Sequence, residues 1–238
     1  RAGAAHIFRP IQVPGRDRAA IDQMPAFCIG ESVKEYSRGS PSLFYLELLG
    51  LYKEWHQGGD KHFRGGWGGK AHKYVRNLAR QTNSKTLLDY GCGRGLHFIN
   101  PKMGEKDSHL LAEIGCEITG YDPAYCPFSA LPQGKFDGVV AIDVMEHIPE
   151  DDVPWVLEEI FGFARKFAFF LVTTVLARKS FKDGRNVHIT VRPEAWWRAQ
   201  IKRAKRVSGS RVKWEASFRD RVKGQDKGES GNACQIAQ

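Results

Sequence analysis

The apolar positions of the chain change their spacing near residue 85. Beyond it, short runs rich in β-branched and aromatic residues alternate with segments of helical spacing. We predict four strands, "KTLLDYG", "CEITGYD", "KFDGVVAIDV" and "FAFFLVTTV", and helices in "HLLAEIG", "DDVPWVLEEIFGFARK" and "PEAWWRAQIKRA". This alternation indicates βαβ units, so we expect an α/β fold with a mostly parallel sheet covered on both faces. Near the C-terminus, "RVKWEASFR" and "NACQIA" could close the sheet as an antiparallel pair.

The first 84 residues follow a different pattern. Residues 1–30 carry three prolines among polar residues and predict an extended arm. Apolar residues at spacings of three then predict an amphipathic helix, with a stripe of Leu43, Leu46, Leu49, Tyr52 and Trp55. The glycine-rich "FRGGWGGK", either a lid or a plain linker, leads into a second helix, "KAHKYVRNLARQ". We therefore predict an arm and helical appendage over residues 1–84 and a main domain over 85–238.

Composition narrows the class of protein. A hydrophobic content of 42% and a charged content of 26% are ordinary for a globular domain. The longest apolar run, Phe167–Ala177, is shorter than the roughly 20 residues that span a bilayer, so we expect no membrane partner. The first residues do not read as a signal peptide. Five scattered cysteines without a CxxC pair support neither a disulfide framework nor a cysteine zinc site, and they favour a reducing, cytoplasmic location.

The net charge of +9 is unevenly distributed. Basic residues concentrate in "RAQIKRAKR" and in the segment that follows it. Such a surface could attract phosphates or other anions. The alternative is a solvated helix face and loop without a partner.

The glycines of "LLDYGCGRG" stand where the first strand of the main domain ends. Ligands of open parallel sheets lie outside the carboxyl ends of the strands, and glycine lets a ligand approach the main chain. The spacing is GxGxG, whereas dinucleotide sites use GxGxxG. Asp89 places a carboxylate beside the glycines, which favours a cationic ligand over a diphosphate. Asp122, at the end of the second strand, is placed to accept hydrogen bonds from both ribose hydroxyls, or else forms an Asp-Pro turn.

Three segments in order, "LLDYGCGRG", "GYDP" and "FDGVVAIDVMEHIP", resemble the class I S-adenosylmethionine-dependent methyltransferases over about Lys85 to Val175. The resemblance implies a Rossmann-like fold and S-adenosylmethionine as cofactor. It implies a cofactor site of Asp89, Gly91, Cys92, Gly93, Gly95, Asp122, Pro123, Ile142 and Asp143. The segment "HFINPKMGEKD" looks like an insertion relative to the family. The adenine contact is unassigned, with Phe128 or Leu131 as candidates.

The segment "DVMEH" carries the candidate chemistry. It stands where the methyltransferases that act on a nucleobase nitrogen carry an Asn/Asp-Pro-Pro-aromatic tetrad. Methylation of a nucleobase nitrogen is therefore disfavoured. Asp143, Glu146 and His147 have i, i+3, i+4 spacing and would share one side of a helical turn. His188 follows the next strand and would lie over the same edge of the sheet. Two carboxylates and two imidazoles suit Mg²⁺ or Mn²⁺.

This arrangement resembles two groups of methyltransferases, the small-RNA 3′-terminal 2′-O-methyltransferases and the ubiquinone-pathway O-methyltransferases. The resemblance implies a metal held by Asp143, Glu146, His147 and His188 that lowers the pKa of an acceptor hydroxyl. Those groups mostly carry Glu where this chain has Asp143. Without a metal, His147 or His188 would act as general base or bond a loop. The candidate catalytic residues are therefore Asp143, His147 and His188.

Three functions follow from these patterns. The first is methyl transfer from S-adenosylmethionine to an oxygen of a small molecule, with a nitrogen as the less favoured acceptor atom. The second is 2′-O-methylation of RNA, with the basic C-terminal region and the Trp196–Trp197 pair holding the RNA. The third is a non-catalytic partner subunit that keeps the cofactor fold. The intact glycines and Asp122 favour a working cofactor site.

Overall fold

The computed structural model describes residues 35–58, 67, 71–95 and 114–220. By its contacts the chain divides into Arg1–Glu35 and Tyr36–Gln238, and every feature discussed below lies in the second unit. Five strands form one sheet: β1 (Thr86–Tyr90), β2 (Glu117–Tyr121), β3 (Phe136–Ile142), β4 (Ala164–Thr173) and β5 (Lys213–Arg219). Their order is β2-β1-β3-β4-β5, and each pairing is parallel. The predicted α/β, Rossmann-like fold is confirmed.

Four α-helices accompany the sheet among the described residues. They are α1 (Leu43–Gln57), α2 (Ala71–Gln81), α3 (Val153–Phe163) and α4 (Glu194–Val207). The α2 helix packs on one face of the sheet, whereas α3 and α4 pack on the other. Short 3-10 turns follow β2 at Cys126–Phe128 and β3 at Met145–His147. None of the described helices is long and apolar enough to cross a bilayer.

The strands form where the apolar runs predict them. Successive residues of β3 point to opposite faces, so Val139 and Ala141 belong to one core cluster and Val140 and Ile142 to the other. Because helices cover both faces, both sets of side chains are buried, which explains the unbroken apolar run.

The C-terminal part of the sheet is described only as far as β5. The β5 strand runs parallel to β4, with Phe167 opposite Lys213 at its start. The antiparallel partner expected from "NACQIA" lies outside the described residues, as do the predicted N-terminal arm, most of "HLLAEIG" and the "HFINPKMGEKD" segment. Between β2 and β3 the chain forms no strand, only the 3-10 turn.

The predicted stripe on α1 is wrong in part. Leu43 and Leu46 are exposed at 81% and 49%, whereas Tyr45 and Leu48 are buried. A spacing of three is shorter than the helical repeat of 3.6, so a row at that spacing rotates around the helix and cannot stay on one face. Leu49 packs with Tyr45, at the edge of the larger core cluster.

A buried carboxylate fastens the start of α1 to α3. Asp152, which is fully buried, accepts hydrogen bonds from the Ser42 backbone N–H (3.0 Å), the Ser42 hydroxyl and the Trp155 indole N–H (2.8 Å). Ser42 also caps α1, because its hydroxyl oxygen accepts a hydrogen bond from the Tyr45 N–H. The Tyr45 and Trp155 rings meet edge to face with centroids 5.3 Å apart. The polar contacts thus specify where α1 begins.

Replacement of this carboxylate should destabilise the protein. Asp152→Ala leaves the Ser42 and Trp155 donors buried without acceptors, so we expect a loss of about 3 kcal/mol in the free energy of unfolding. Urea denaturation followed by circular dichroism measures the loss. Asp151→Ala, at the exposed neighbouring residue, is the matched control and should change stability by less than about 0.5 kcal/mol. Equal effects of the two substitutions would contradict the proposed role.

Candidate functional site

A cavity of about 250 Å³ lies at the carboxyl ends of β1, β2 and β3, with α1 along one side. Its lining contains eight of the nine predicted cofactor residues: Asp89, Gly91, Cys92, Gly93, Asp122, Pro123, Ile142 and Asp143. Gly95 belongs to the same turn but not to the lining. The α1 helix contributes Tyr45, Leu48, Leu49, Tyr52 and His56.

The turn after β1 explains the spacing of its glycines. Gly91, Gly93 and Gly95 all have positive φ, at 78°, 57° and 58°. The N–H groups of Gly91 and Cys92 both donate to the Tyr121 carbonyl, which ties the turn to the end of β2. A Cβ at Gly91 would lie 2.4 Å from Val144 Cγ2. At Gly91, therefore, both the backbone conformation and the neighbouring side chain require glycine.

Two acidic side chains flank the glycine turn. Asp89, at the end of β1, is 3% exposed, and its Oδ2 accepts a hydrogen bond from the Trp67 indole at 3.1 Å. Asp122 accepts from the Gly93 N–H at 2.8 Å and from the Ala124 N–H at 2.9 Å. Burial raises the pKa of Asp122, against the lowering effect of these backbone donors. Each carboxylate oxygen has two lone pairs, so Asp122 shapes its own turn and keeps acceptor capacity toward the cavity.

The structure brings three of the four predicted metal ligands together. One ligand atom each of Glu146, His147 and His188 lies within 4.8 Å of the others. Asp143 is not in this group. It precedes the 3-10 turn with a φ of +54°, so the predicted single helical turn is corrected. Its two oxygens lie 2.8 and 2.7 Å from Arg219 Nη1, at the end of β5.

Glu146 is fully buried, and only one of its oxygens is satisfied. Oε1 accepts a hydrogen bond from the Thr173 N–H at 2.9 Å, whereas Oε2 has no hydrogen-bond partner among the described residues. Burial, with a smaller contribution from the charge of Asp143, raises the pKa of Glu146 to about 8. A buried carboxyl oxygen without a partner is costly, which indicates that this position accommodates a ligand or a proton.

The two histidines contact backbone carbonyls through the same ring nitrogen, Nδ1. His188 Nδ1 lies 2.6 Å from the Val175 carbonyl, and His147 Nδ1 lies 2.9 Å from the Val187 carbonyl and 2.7 Å from the Tyr52 hydroxyl. Because a carbonyl can only accept, Nδ1 carries the proton in each ring and Nε2 keeps its lone pair. Burial lowers the pKa of both rings, that of His147 to about 3. Both imidazoles are therefore neutral near pH 7.

Other residues that the sequence suggested for ligand binding do not line the cavity, or belong to a segment that is described only in part. Trp197 is buried in the core, and its partner Trp196 does not line the cavity, so the pair forms no aromatic wall there. Phe128 and Leu131, the adenine candidates, are also absent from the lining. Of the glycine-rich lid segment, Trp67 is described and does line the cavity, and the rest of that segment lies outside the described residues.

Sequence reasoning missed three partners of the site. The Tyr52 hydroxyl contacts His147, Arg219 contacts Asp143, and His56 lines the cavity. Tyr52 stood out only as an apolar position of α1. Arg219 lies 76 residues from Asp143, and no local pattern relates them.

Together the fold and the cavity define a Rossmann-like protein with a candidate ligand site at the carboxyl edge of a parallel sheet. Residues 63–214 match a protein-family model described as a methyltransferase domain. The chain belongs to this family, within the class I S-adenosylmethionine-dependent methyltransferase superfamily. No curated protein gave a significant match.

The chain is also similar to a solved structure. It is the 1,6-didemethyltoxoflavin-N1-methyltransferase of Burkholderia thailandensis, with 1,6-didemethyltoxoflavin and S-adenosylhomocysteine bound. The two chains are 17% identical, with 69% of this chain and 80% of the other covered and a TM-score of 0.43.

Gly91 provides a direct test of the turn. Gly91→Ala places a methyl group against Val144 in a left-handed conformation, whereas Gly115→Ala imposes the same conformation (φ +67°) in open space. We expect Gly115→Ala to cost about 1 kcal/mol and Gly91→Ala about 2 kcal/mol more, because only the latter adds a steric clash. Urea denaturation gives both values. Adding Val144→Ala to Gly91→Ala should recover part of the difference, and no recovery would argue against the clash.

Proposed function

We propose that the protein transfers a methyl group from S-adenosylmethionine to an oxygen of a small-molecule acceptor. The main support for this proposal is that His147 lines the same cavity as the glycine turn and Asp122. A neutral imidazole can thus face an acceptor hydroxyl beside the cofactor. With a pKa of about 3, His147 is a weak base, so the acceptors that suit it are acidic hydroxyls such as phenols and enols.

The cavity suits a cationic cofactor of this kind. Asp89 and Asp122 place negative charge near the glycine turn, where the ammonium group and the ribose hydroxyls would bind. Asp122 would accept from the ribose through the lone pairs that its backbone donors leave free. The backbone of Gly91, Cys92 and Gly93 also lines the cavity, which lets a ligand lie against the main chain. These roles agree with those that the family resemblance implies.

The acceptor side of the cavity is apolar. Tyr45, Leu48 and Leu49 of α1 line the cavity together with Ile148 and Pro149. Such a lining favours a compact apolar or aromatic acceptor whose hydroxyl reaches His147. The basic residues of α4 do not line this cavity, and Trp197 lies in the core. We therefore prefer a small molecule to RNA as the acceptor.

Asp122→Asn tests the cofactor assignment. The amide keeps one oxygen acceptor but loses the charge, so the variant should bind S-adenosylmethionine about tenfold to a hundredfold more weakly in calorimetric titration. Asp220→Asn, at an exposed site, is the control and should bind like the wild type.

The wild type should then methylate phenols or enols, and mass spectrometry of the product identifies the methylated atom. Tight cofactor binding without turnover on any acceptor would favour the non-catalytic partner. Methylated nitrogen, or a methylated RNA 2′-oxygen, would overturn the proposed acceptor.

The residues of the Glu146 group also fit a divalent metal ion. One carboxylate oxygen of Glu146 and one ring nitrogen each of His147 and His188 offer one oxygen and two nitrogen ligands within mutual reach. We propose that Glu146, His147 and His188 would hold Mg²⁺ or Mn²⁺, with Asp143 kept outside the group by Arg219. A bound ion would lower the pKa of an acceptor hydroxyl. Tyr52 and the Val187 carbonyl would hold the His147 ring with Nε2 toward the ion.

Metal binding can be measured without activity. Titration of Mn²⁺ followed by electron paramagnetic resonance of the free ion should show one site, and Glu146→Gln or His188→Asn should weaken it at least about tenfold. His56→Asn, which removes a cavity histidine outside the group, is the control and should bind Mn²⁺ normally. Asp143→Asn should also bind normally, and loss of binding there would restore Asp143 as a ligand. No binding by the wild type would leave His147 and His188 as metal-free groups.

A further inference from the structure

The second half of α4 and the turn after it form a surface of one charge. Residues 202–213 contain six basic residues and no acidic residue: Lys202, Arg203, Lys205, Arg206, Arg211 and Lys213. All are exposed except Lys205, which is half-buried. Lys213 is paired with Glu215 at 2.9 Å. The other five have no acidic partner within salt-bridge distance among the described residues.

A groove of about 450 Å³ opens within this surface. It is lined by Lys202, Lys205, Arg206, Gly209, Ser210 and Trp214. The Trp214 indole is half-buried and packs against the larger core cluster on its inner side. The groove therefore combines three unpaired cations with one aromatic ring and a hydroxyl.

The groove is separate from the methyltransferase cavity. The α4 helix begins at Glu194, four residues after Thr190, whose backbone N–H donates to the Glu146 carbonyl. The 14 residues of α4 span about 20 Å. The helix therefore ends at the opposite edge of the sheet, where β5 begins. At this edge the register pairs Phe167 with Lys213, which places Arg165 and Lys166 nearby.

Helix stability alone does not account for these charges. Lys205 and Arg206 lie in the last turn, where cations complement the helix dipole. Lys202 and Arg203 lie farther back, and Arg211 lies outside the helix. A solvated helix face normally alternates its charges, as the first half of α4 does through the Glu194–Arg198 pair. The second half has no such pair.

We propose that this groove binds the phosphates of a single-stranded nucleic acid, with Trp214 available to stack on a base. Cations that extend over residues 202–213 can meet several successive phosphates, which favours a chain over a single nucleotide. An aromatic ring beside such cations is typical of sequence-tolerant binding to single strands. Within this segment Val207 is the one large hydrophobic side chain described as strongly exposed, which is too little apolar surface for membrane binding.

The test uses the whole protein and a fluorescent 12-nucleotide RNA or DNA, with binding followed by anisotropy over a range of KCl concentrations. The triple variant Lys202→Ala/Lys205→Ala/Arg206→Ala should bind at least about tenfold more weakly at low salt. Its slope of log affinity against log salt should be smaller by about two, because three phosphate contacts are lost. Trp214→Leu should weaken binding about tenfold.

The control variant Lys53→Ala/Lys73→Ala/Lys182→Ala removes the same charge from exposed positions elsewhere and should bind the oligonucleotide within about twofold of the wild type. Equal losses in the two triple variants would overturn the proposal, since they would show an effect of net charge alone.

Competition by AMP as effective as that of the oligonucleotide would overturn the proposal, because it would indicate a site for a single nucleotide. Binding to phosphatidylserine vesicles but not to the oligonucleotide would also overturn the proposal. S-adenosylmethionine affinity, unchanged in the triple variant, checks its fold and keeps this result independent of the proposed function.

Discussion

The seating of α1 against α3 determines the shape of the site, and the buried Asp152 carboxylate is the contact that specifies it. Its three hydrogen bonds place the first turn of α1 beside Trp155, and the rest of the helix then lies along the carboxyl edge of the sheet. From that position α1 supplies one side of the cavity, and Tyr52 reaches His147. The orientation of the His147 ring, a candidate catalytic group, thus depends on the position of α1, which lies outside the sheet.

The parallel sheet places the acidic residues of the cavity and the basic groove at opposite edges. All five strands run the same way, so the residues that follow them meet at one edge and those that precede them meet at the other. Asp89, Asp122 and Asp143 end strands and surround the cavity. Lys166 and Lys213 lie at strand starts, on the edge where the basic groove opens. A cationic methyl donor and a polyanion therefore have complementary surfaces on opposite edges of the same fold.

The sequence predicts what is determined locally and misses what distant contacts determine. Strands buried on both faces read as unbroken apolar runs, and the residues at strand ends fall at the ligand edge for topological reasons. Asp89, the glycines and Asp122 were therefore predictable. The separation of Asp143 from the group of Glu146, His147 and His188 was not predictable, because Asp143 pairs with Arg219 at the end of β5, 76 residues away. The stripe on α1 failed because a row of residues at a spacing of three rotates around a helix whose repeat is 3.6 residues.

Burial keeps two titratable groups of the site, Glu146 and His147, uncharged near pH 7. Burial holds Glu146 protonated up to a pKa of about 8 and His147 neutral down to about 3. A protonated Glu146 contributes stability that is complete below its unfolded pKa of about 4.5 and is lost as the pH rises to about 8. A cation held by Glu146, His147 and His188 would stabilise the ionised carboxylate of Glu146 and so displace this proton. Under the proposed metal site, cation binding and ionisation of Glu146 are therefore linked, and each favours the other.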